Sequence, residues 1–177
     1  MAHFLRHLAF RRGRPGLDTA ATKPCPARPA QYPPRPIEVG MRLGEFSGVS
    51  LTGAVSLVPP PKEPGEKLLL ITMSPGCPIC RANLADWTGL TLDLKRRSGW
   101  RVVWVSRDPL NYARQYCERN NIALPEILAE PSYSTYLRLR LEGVPYTVIV
   151  GPGGVEKVWR GRLTPQAILE IRRLSLT

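Results

Sequence analysis

Cys77-Pro78-Ile79-Cys80 places two thiols three positions apart. The apolar run Leu68-Leu69-Leu70-Ile71 just before it reads as a buried strand, and a helical pattern begins near Cys80. A cysteine at that junction meets the unpaired N–H groups and partial positive charge of a helix N-terminus, which stabilise a thiolate. The second cysteine lies about one helical turn on, close enough to close a disulfide with the first. The chemistry implied is thiol–disulfide exchange. Zinc is the competing use of such a pair, but a zinc site needs about four ligands. There is no second Cys-x-x-Cys, and the only histidines, His3 and His7, lie in a remote tail. Of the other cysteines, Cys25 reads as incidental and Cys117 as a structural thiol on a helix.

The elements that must position this pair follow from apolar spacing and from Pro and Gly. Phe46–Leu51 and Ala54–Leu57 read as short strands joined by a turn at Thr52-Gly53. Pro59–Gly65 is a loop, and Lys67–Thr72 is a central strand, apolar without alternation as burial on both faces requires. Pro78 suits the first turn of a helix running to about Arg97, with Leu84, Trp87, Leu90, Thr91 and Leu94 as its buried stripe. Trp100–Ser106 is the next strand. Asp108-Pro109 reads as an N-cap followed by Pro at the first helical position, for a helix over Pro109–Asn120. Ile122–Ala129 is a linker with a short extended piece, and Ser132–Leu141 a short helix. Tyr146–Val150 and Val155–Arg160 form a hairpin about Gly151-Pro152-Gly153-Gly154. Thr164-Pro165 caps a last helix whose inward face is Ala167, Ile168, Ile171 and Leu174. Strands alternating with helices, then a terminal hairpin, imply an α/β fold: a mixed sheet covered on both faces.

The 177 residues suffice for one domain with a real core. Residues 1–36 hold seven prolines and seven basic residues against one acid, Asp18, and lack sustained periodicity. They read as a flexible basic extension, with a domain over 37–177. The formal net charge is +11, which favours acidic partners. There is no nucleic-acid motif, and Lys95-Arg96-Arg97 looks like a solvated helix end, so nucleic acid is not an expected partner. No apolar run approaches the length of a membrane-spanning helix. Arg6 and His7 interrupt the apolar start, and nothing apolar follows Arg11-Arg12, so neither a secretory nor a twin-arginine signal is expected. The cytoplasm is the default compartment. The Arg-rich, acid-free first 17 residues also suit a mitochondrial presequence. A mis-assigned start would reopen the periplasm.

The order of elements, with Cys77-Pro78-Ile79-Cys80 after the first central strand and Gly143-Val144-Pro145 before the terminal hairpin, resembles the thioredoxin fold. Residues 37–177 resemble its TlpA/ResA-type branch, related to the redoxin group, which carries an N-terminal hairpin and an insert between the halves; here 68 positions separate Cys77 from Pro145. Ser74-Pro75-Gly76-Cys77-Pro78 is also similar to MauD-type proteins. The resemblance implies a thiol:disulfide oxidoreductase with Cys77 attacking, Cys80 buried and resolving, and no cofactor beyond the Cys77–Cys80 disulfide. It implies a cis Pro145 beside that pair, leaving the Val144 backbone open to an extended substrate, with Gly76, Pro78, Val144 and Pro145 as substrate-binding residues. The implied partners are protein thiols and disulfides and an electron-donor or acceptor protein, met by a monomer.

Several positions depart from that pattern. Gly76 stands where a Trp usually precedes the first cysteine, the central strand carries no carboxylate, Asn83 stands where the ResA type often has Glu, and Ala85 replaces an internal Pro. Proton transfer at Cys80 then has no assigned acid. A peroxiredoxin-like peroxidase is the alternative, since Ser74-Pro75-Gly76-Cys77 echoes the Thr-Pro-Gly-Cys of one such group. That group also wants a Pro where Leu70 stands, and an Arg near the strand that carries Pro145 here. A metal-carrier role would need a histidine in the domain, and residues 37–177 contain none.

Overall fold

The computed structural model describes residues 35–122 and 126–175. The basic extension expected over 1–36, with Cys25, lies outside them except for Arg35 and Pro36. The elements run β1 (Phe46–Ser50), β2 (Val55–Val58), β3 (Lys67–Met73), α1 (Pro78–Leu94), β4 (Trp100–Ser106), α2 (Leu110–Arg119), β5 (Ile127–Ala129), α3 (Tyr133–Arg138), a 3-10 turn (Leu141–Gly143), β6 (Tyr146–Gly151), β7 (Gly154–Arg160) and α4 (Pro165–Leu174). Seven strands form one mixed sheet in the order β2-β1-β5-β4-β3-β6-β7.

Central strand β3 pairs parallel with β4 and antiparallel with β6, and six of its seven residues are buried. Its unbroken apolar run is explained by cores on both sides. Leu69, Ile71 and Met73 join Trp87, Leu90, Leu94, Tyr116 and Ile171 from α1, α2 and α4. Leu68 and Leu70 join Ile37, Phe46, Leu139 and Val148 in the other layer. Alternate side chains of one strand thus feed two hydrophobic layers. The expected N-terminal hairpin forms, with Phe46 opposite Val58, and β1 joins the sheet by pairing antiparallel with β5. Gly53, at φ +95°, supplies the left-handed residue of its turn.

Three boundaries differ from expectation. Helix α1 ends at Leu94 rather than Arg97. Helix α2 starts at Leu110, with Pro109 as its N-cap residue and no cap from its own side chain. Asp108 does not cap it: its carboxylate accepts from Ser106 Oγ (3.5 Å), while the Leu110 N–H donates to Glu130 Oε1 (2.9 Å). The free donor of this helix is therefore satisfied from across the sheet end, which local sequence cannot reveal. Helix α3 stops at Arg138, and Arg140 adopts φ +50° before the 3-10 turn that leads to Val144-Pro145.

Candidate active site

Cys77 is the N-cap residue of α1, with Pro78 in the first turn, where no N–H is required. Its Sγ accepts the Cys80 N–H at 3.3 Å. The sulfur therefore takes the place of the hydroxyl or carboxylate oxygen that usually caps a helix. Cys77 Sγ thus faces the unpaired N–H groups that open α1. Cys77 is partly exposed, whereas Cys80 is fully buried, and both are free thiols.

Cys80 behaves differently because of where α1 places it. Burial pushes its thiol from an ordinary value of 9.0 up to about 12, and its hydrogen bond with Cys77 pushes the same way. The Ser74 N–H, 3.5 Å from Cys80 Sγ, and the more distant Arg107 charge act against that rise. One thiol is thus held open at a helix N-terminus and its neighbour is held protonated beneath it. This asymmetry suits an attacking and a resolving pair.

The Val144–Pro145 peptide bond is cis. The β3–β6 register sets Thr72 opposite Tyr146, and the Tyr146 N–H donates to Thr72 Oγ1 (2.9 Å). Val144 and Pro145 therefore leave β6 at the same sheet end at which β3 runs into Ser74–Cys77. Val144 and Cys77 also pack against the same buried cluster. Gly76 precedes Cys77 with open space at its Cα: the nearest atoms to a side chain there would be Ser74 Oγ at 3.9 Å and Tyr112 Oη at 4.0 Å.

Asn83, the position that raised the question of an acid, is fully buried and spoken for. Its Nδ2–H donates to Gly161 O and its Oδ1 accepts from the Leu163 N–H, both at 2.9 Å. It ties α1 to the segment between β7 and α4. Its amide fits that bridge because it needs one donor and one acceptor. Cys117 is buried on α2, its thiol pushed up to about 11 by burial and then by Glu118.

The structure adds residues that the sequence did not single out. Arg107 follows β4 and acts on Cys80 through its charge. Tyr116, on α2, sits near enough to Cys80 for that thiol to help burial raise its own proton affinity. Arg81 and Tyr112 flank the Pro75–Cys77 turn. The sequence placed Cys117 on α2 as a structural thiol but did not show that helix's closeness to the cysteine pair. Among the described residues no group of three or more His, Cys, Asp and Glu side chains is placed to hold a metal ion, and no helix is long and apolar enough to cross a membrane.

No protein-family model and no curated protein matches the sequence. Solved structures do match in shape. The thioredoxin domain of a thiol-disulfide oxidoreductase from Bacteroides vulgatus aligns at TM-score 0.63 and 15% identity, over 78% of this chain and 99% of that one. A DsbF homologue from Corynebacterium diphtheriae aligns at 0.61 and 19%, over 83% and 96%. StoA from Bacillus subtilis aligns at 0.58 and 17%, over 78% and 98%. At such identities the likeness establishes the architecture: the chain has the thioredoxin-like fold.

Proposed function

We propose that this protein is a thiol:disulfide oxidoreductase that passes electrons between the Cys77–Cys80 pair and protein thiols or disulfides. The observation that carries the reading is the asymmetry of the pair. Cys77 Sγ caps α1 and is partly exposed, while Cys80 lies buried one turn behind it with its thiol pushed up to about 12. The solved structures of the same fold include proteins described as a thiol-disulfide oxidoreductase and a thiol:disulfide interchange protein, which supports the same activity.

In the reductive direction the Cys77 thiolate attacks one sulfur of a substrate disulfide, and the other substrate sulfur leaves as thiolate. Cys80 gives up its proton and attacks Cys77 Sγ. The mixed disulfide breaks, the second substrate thiol departs, and Cys77–Cys80 is left oxidised. Two electrons have passed to the substrate, and a second thiol protein restores the pair. With Asn83 committed to Gly161 and Leu163, the Cys80 proton goes to water or to the departing substrate thiolate. Gly76, Pro78, Val144 and Pro145 line the path by which an extended substrate reaches Cys77, and the protein works as a monomer without a further cofactor.

The test is reduction of insulin disulfides by dithiothreitol with catalytic amounts of protein. Cys77→Ser abolishes the activity, and Cys80→Ser accumulates a mixed disulfide with the substrate. Full activity of Cys77→Ser, or peroxide consumption in preference to disulfide exchange, overturns the reading.

A further inference from the structure

Beside Cys77 lies a cleft of about 340 Å³ between α1 and α2, lined by Pro75, Arg81, Tyr112, Tyr116, Arg119 and Asn120. Pro75 belongs to the turn that carries Cys77, and Arg81 lies one helical turn beyond it. Tyr112, Tyr116 and Arg119 are spaced four and then three apart on α2, so they share one stripe of that helix. No carboxylate lines the cleft.

Its polar groups are mostly donors left over from folding. Among the described residues the Arg81 guanidinium has no hydrogen-bond or ion-pair partner, and neither phenol hydroxyl has a hydrogen-bond partner. All four salt bridges lie on other residues. Arg119 spends its Nε–H on Gln115 O (3.1 Å) and keeps its two terminal nitrogens. Two guanidinium groups and two hydroxyls around one cleft, with no carboxylate among its lining residues, suit an anion with several lone pairs; a carboxylate meets Arg in fork geometry. Gly76, next to Cys77, carries no side chain, and a Cβ there would lie 4.0 Å from Tyr112 Oη of the cleft.

We propose that this cleft receives a carboxylate from an acidic segment flanking the reacting cysteine, so that the substrates are disulfides set in acidic sequence. This rests on the oxidoreductase reading. The cleft acts on encounter and on holding the mixed disulfide, and Arg81 and Arg119 are specificity residues without a part in bond making.

The test uses three disulfide-linked peptides, identical except for Glu, Gln or Lys beside the cysteine. Each is reacted with the reduced protein at low salt, and the second-order rate at Cys77 is followed by stopped flow. Two partly exposed cation–carboxylate pairs correspond to a roughly fivefold preference for Glu over Lys. Arg81→Gln with Arg119→Gln brings the three rates within about twofold of one another. Arg81→Glu favours the Lys peptide. Arg96→Gln with Arg173→Gln, exposed positions just past the end of α1 and in the last turn of α4, removes the same net charge and keeps the preference. Equal rates for all peptides in wild type, or a preference that survives Arg81→Gln/Arg119→Gln, overturn the cleft assignment while leaving the oxidoreductase intact. If no peptide reacts at Cys77, the oxidoreductase reading fails and the cleft assignment falls with it.

Discussion

Asn83→Leu separates a structural amide from a chemical one. Leu keeps the branched outline of Asn, with greater bulk that can only add to the cost, and removes both of its hydrogen bonds. The Leu163 N–H is buried, so losing its acceptor exposes the full penalty of an unpaired donor, about 1–3 kcal/mol. Gly161 is partly exposed and its carbonyl can turn to water, so that loss is nearer the net worth of one hydrogen bond, about 1 kcal/mol. The sum is a destabilisation of about 2–4 kcal/mol. That is a large share of a domain's ~5–15 kcal/mol, yet it leaves the variant folded at moderate temperature. Urea unfolding of the reduced protein, with unchanged slope, measures it. The same variant, assayed while folded, keeps the rate at which Cys77 attacks a small neutral disulfide, because Asn83 carries no proton in the reaction. A loss below about 0.5 kcal/mol would show that the bridge from α1 to Gly161 and Leu163 holds nothing. A collapse of exchange rate in a stably folded variant would put Asn83 back into the chemistry.

Three further outcomes follow from other parts of the structure. In the reduced protein the Cys80 thiol sits above its unfolded value. The stability gained by keeping it protonated is therefore whole below pH about 9 and is lost as pH climbs toward 12; urea midpoints of wild type and Cys80→Ala across that range converge or cross if this is right, and stay parallel if it is wrong. Thr91 Oγ1 accepts from Trp104 Nε1 (3.1 Å) and donates to Trp87 O (2.7 Å), all buried. Thr91→Val keeps the shape, strands the indole N–H and costs about 1–3 kcal/mol, with altered tryptophan fluorescence; an unchanged midpoint contradicts it. Glu130→Ala removes the acceptor for the Leu110 N–H and costs about 1 kcal/mol in unfolding free energy, whereas Glu130→Gln recovers most of that loss.

What sequence revealed was what depends on near neighbours. The strand–Cys-x-x-Cys–helix junction was legible because Pro78 marks a first helical turn and the run from Leu68 to Ile71 admits no exposed face. The terminal hairpin and Thr164's cap on α4, where its hydroxyl accepts the Ala167 N–H, were legible for the same reason. Asp108-Pro109 failed as a cap for α2 because Glu130, twenty-two positions away, takes that role. The α3 boundary failed because Arg140 turns left-handed to bring the chain round to Val144, and nothing in Arg140's side chain announces that.

The same distinction governs the site. Cys77 and Cys80 declare themselves through spacing, but the environment that makes them unequal is assembled by the fold: burial of Cys80 beneath the sheet end, the Ser74 N–H, and Arg107 after β4. An acid seemed to be missing because the only candidate, Asn83, was read against a pattern of residue types. Its two backbone partners lie about eighty positions on, so no local reading could show that the position serves packing instead. The consequence runs from fold to chemistry. With no carboxylate on β3 and the Asn83 amide occupied, the charged side chains shown acting on Cys80 and on Tyr116 are the cations Arg107 and Arg81, while the nearby Asp108 and Glu130 carboxylates are engaged with Ser106 and the Leu110 N–H. A substrate that brings its own carboxylate would then supply the complementary charge, and it would be drawn first to the side of Cys77 that Gly76 leaves open.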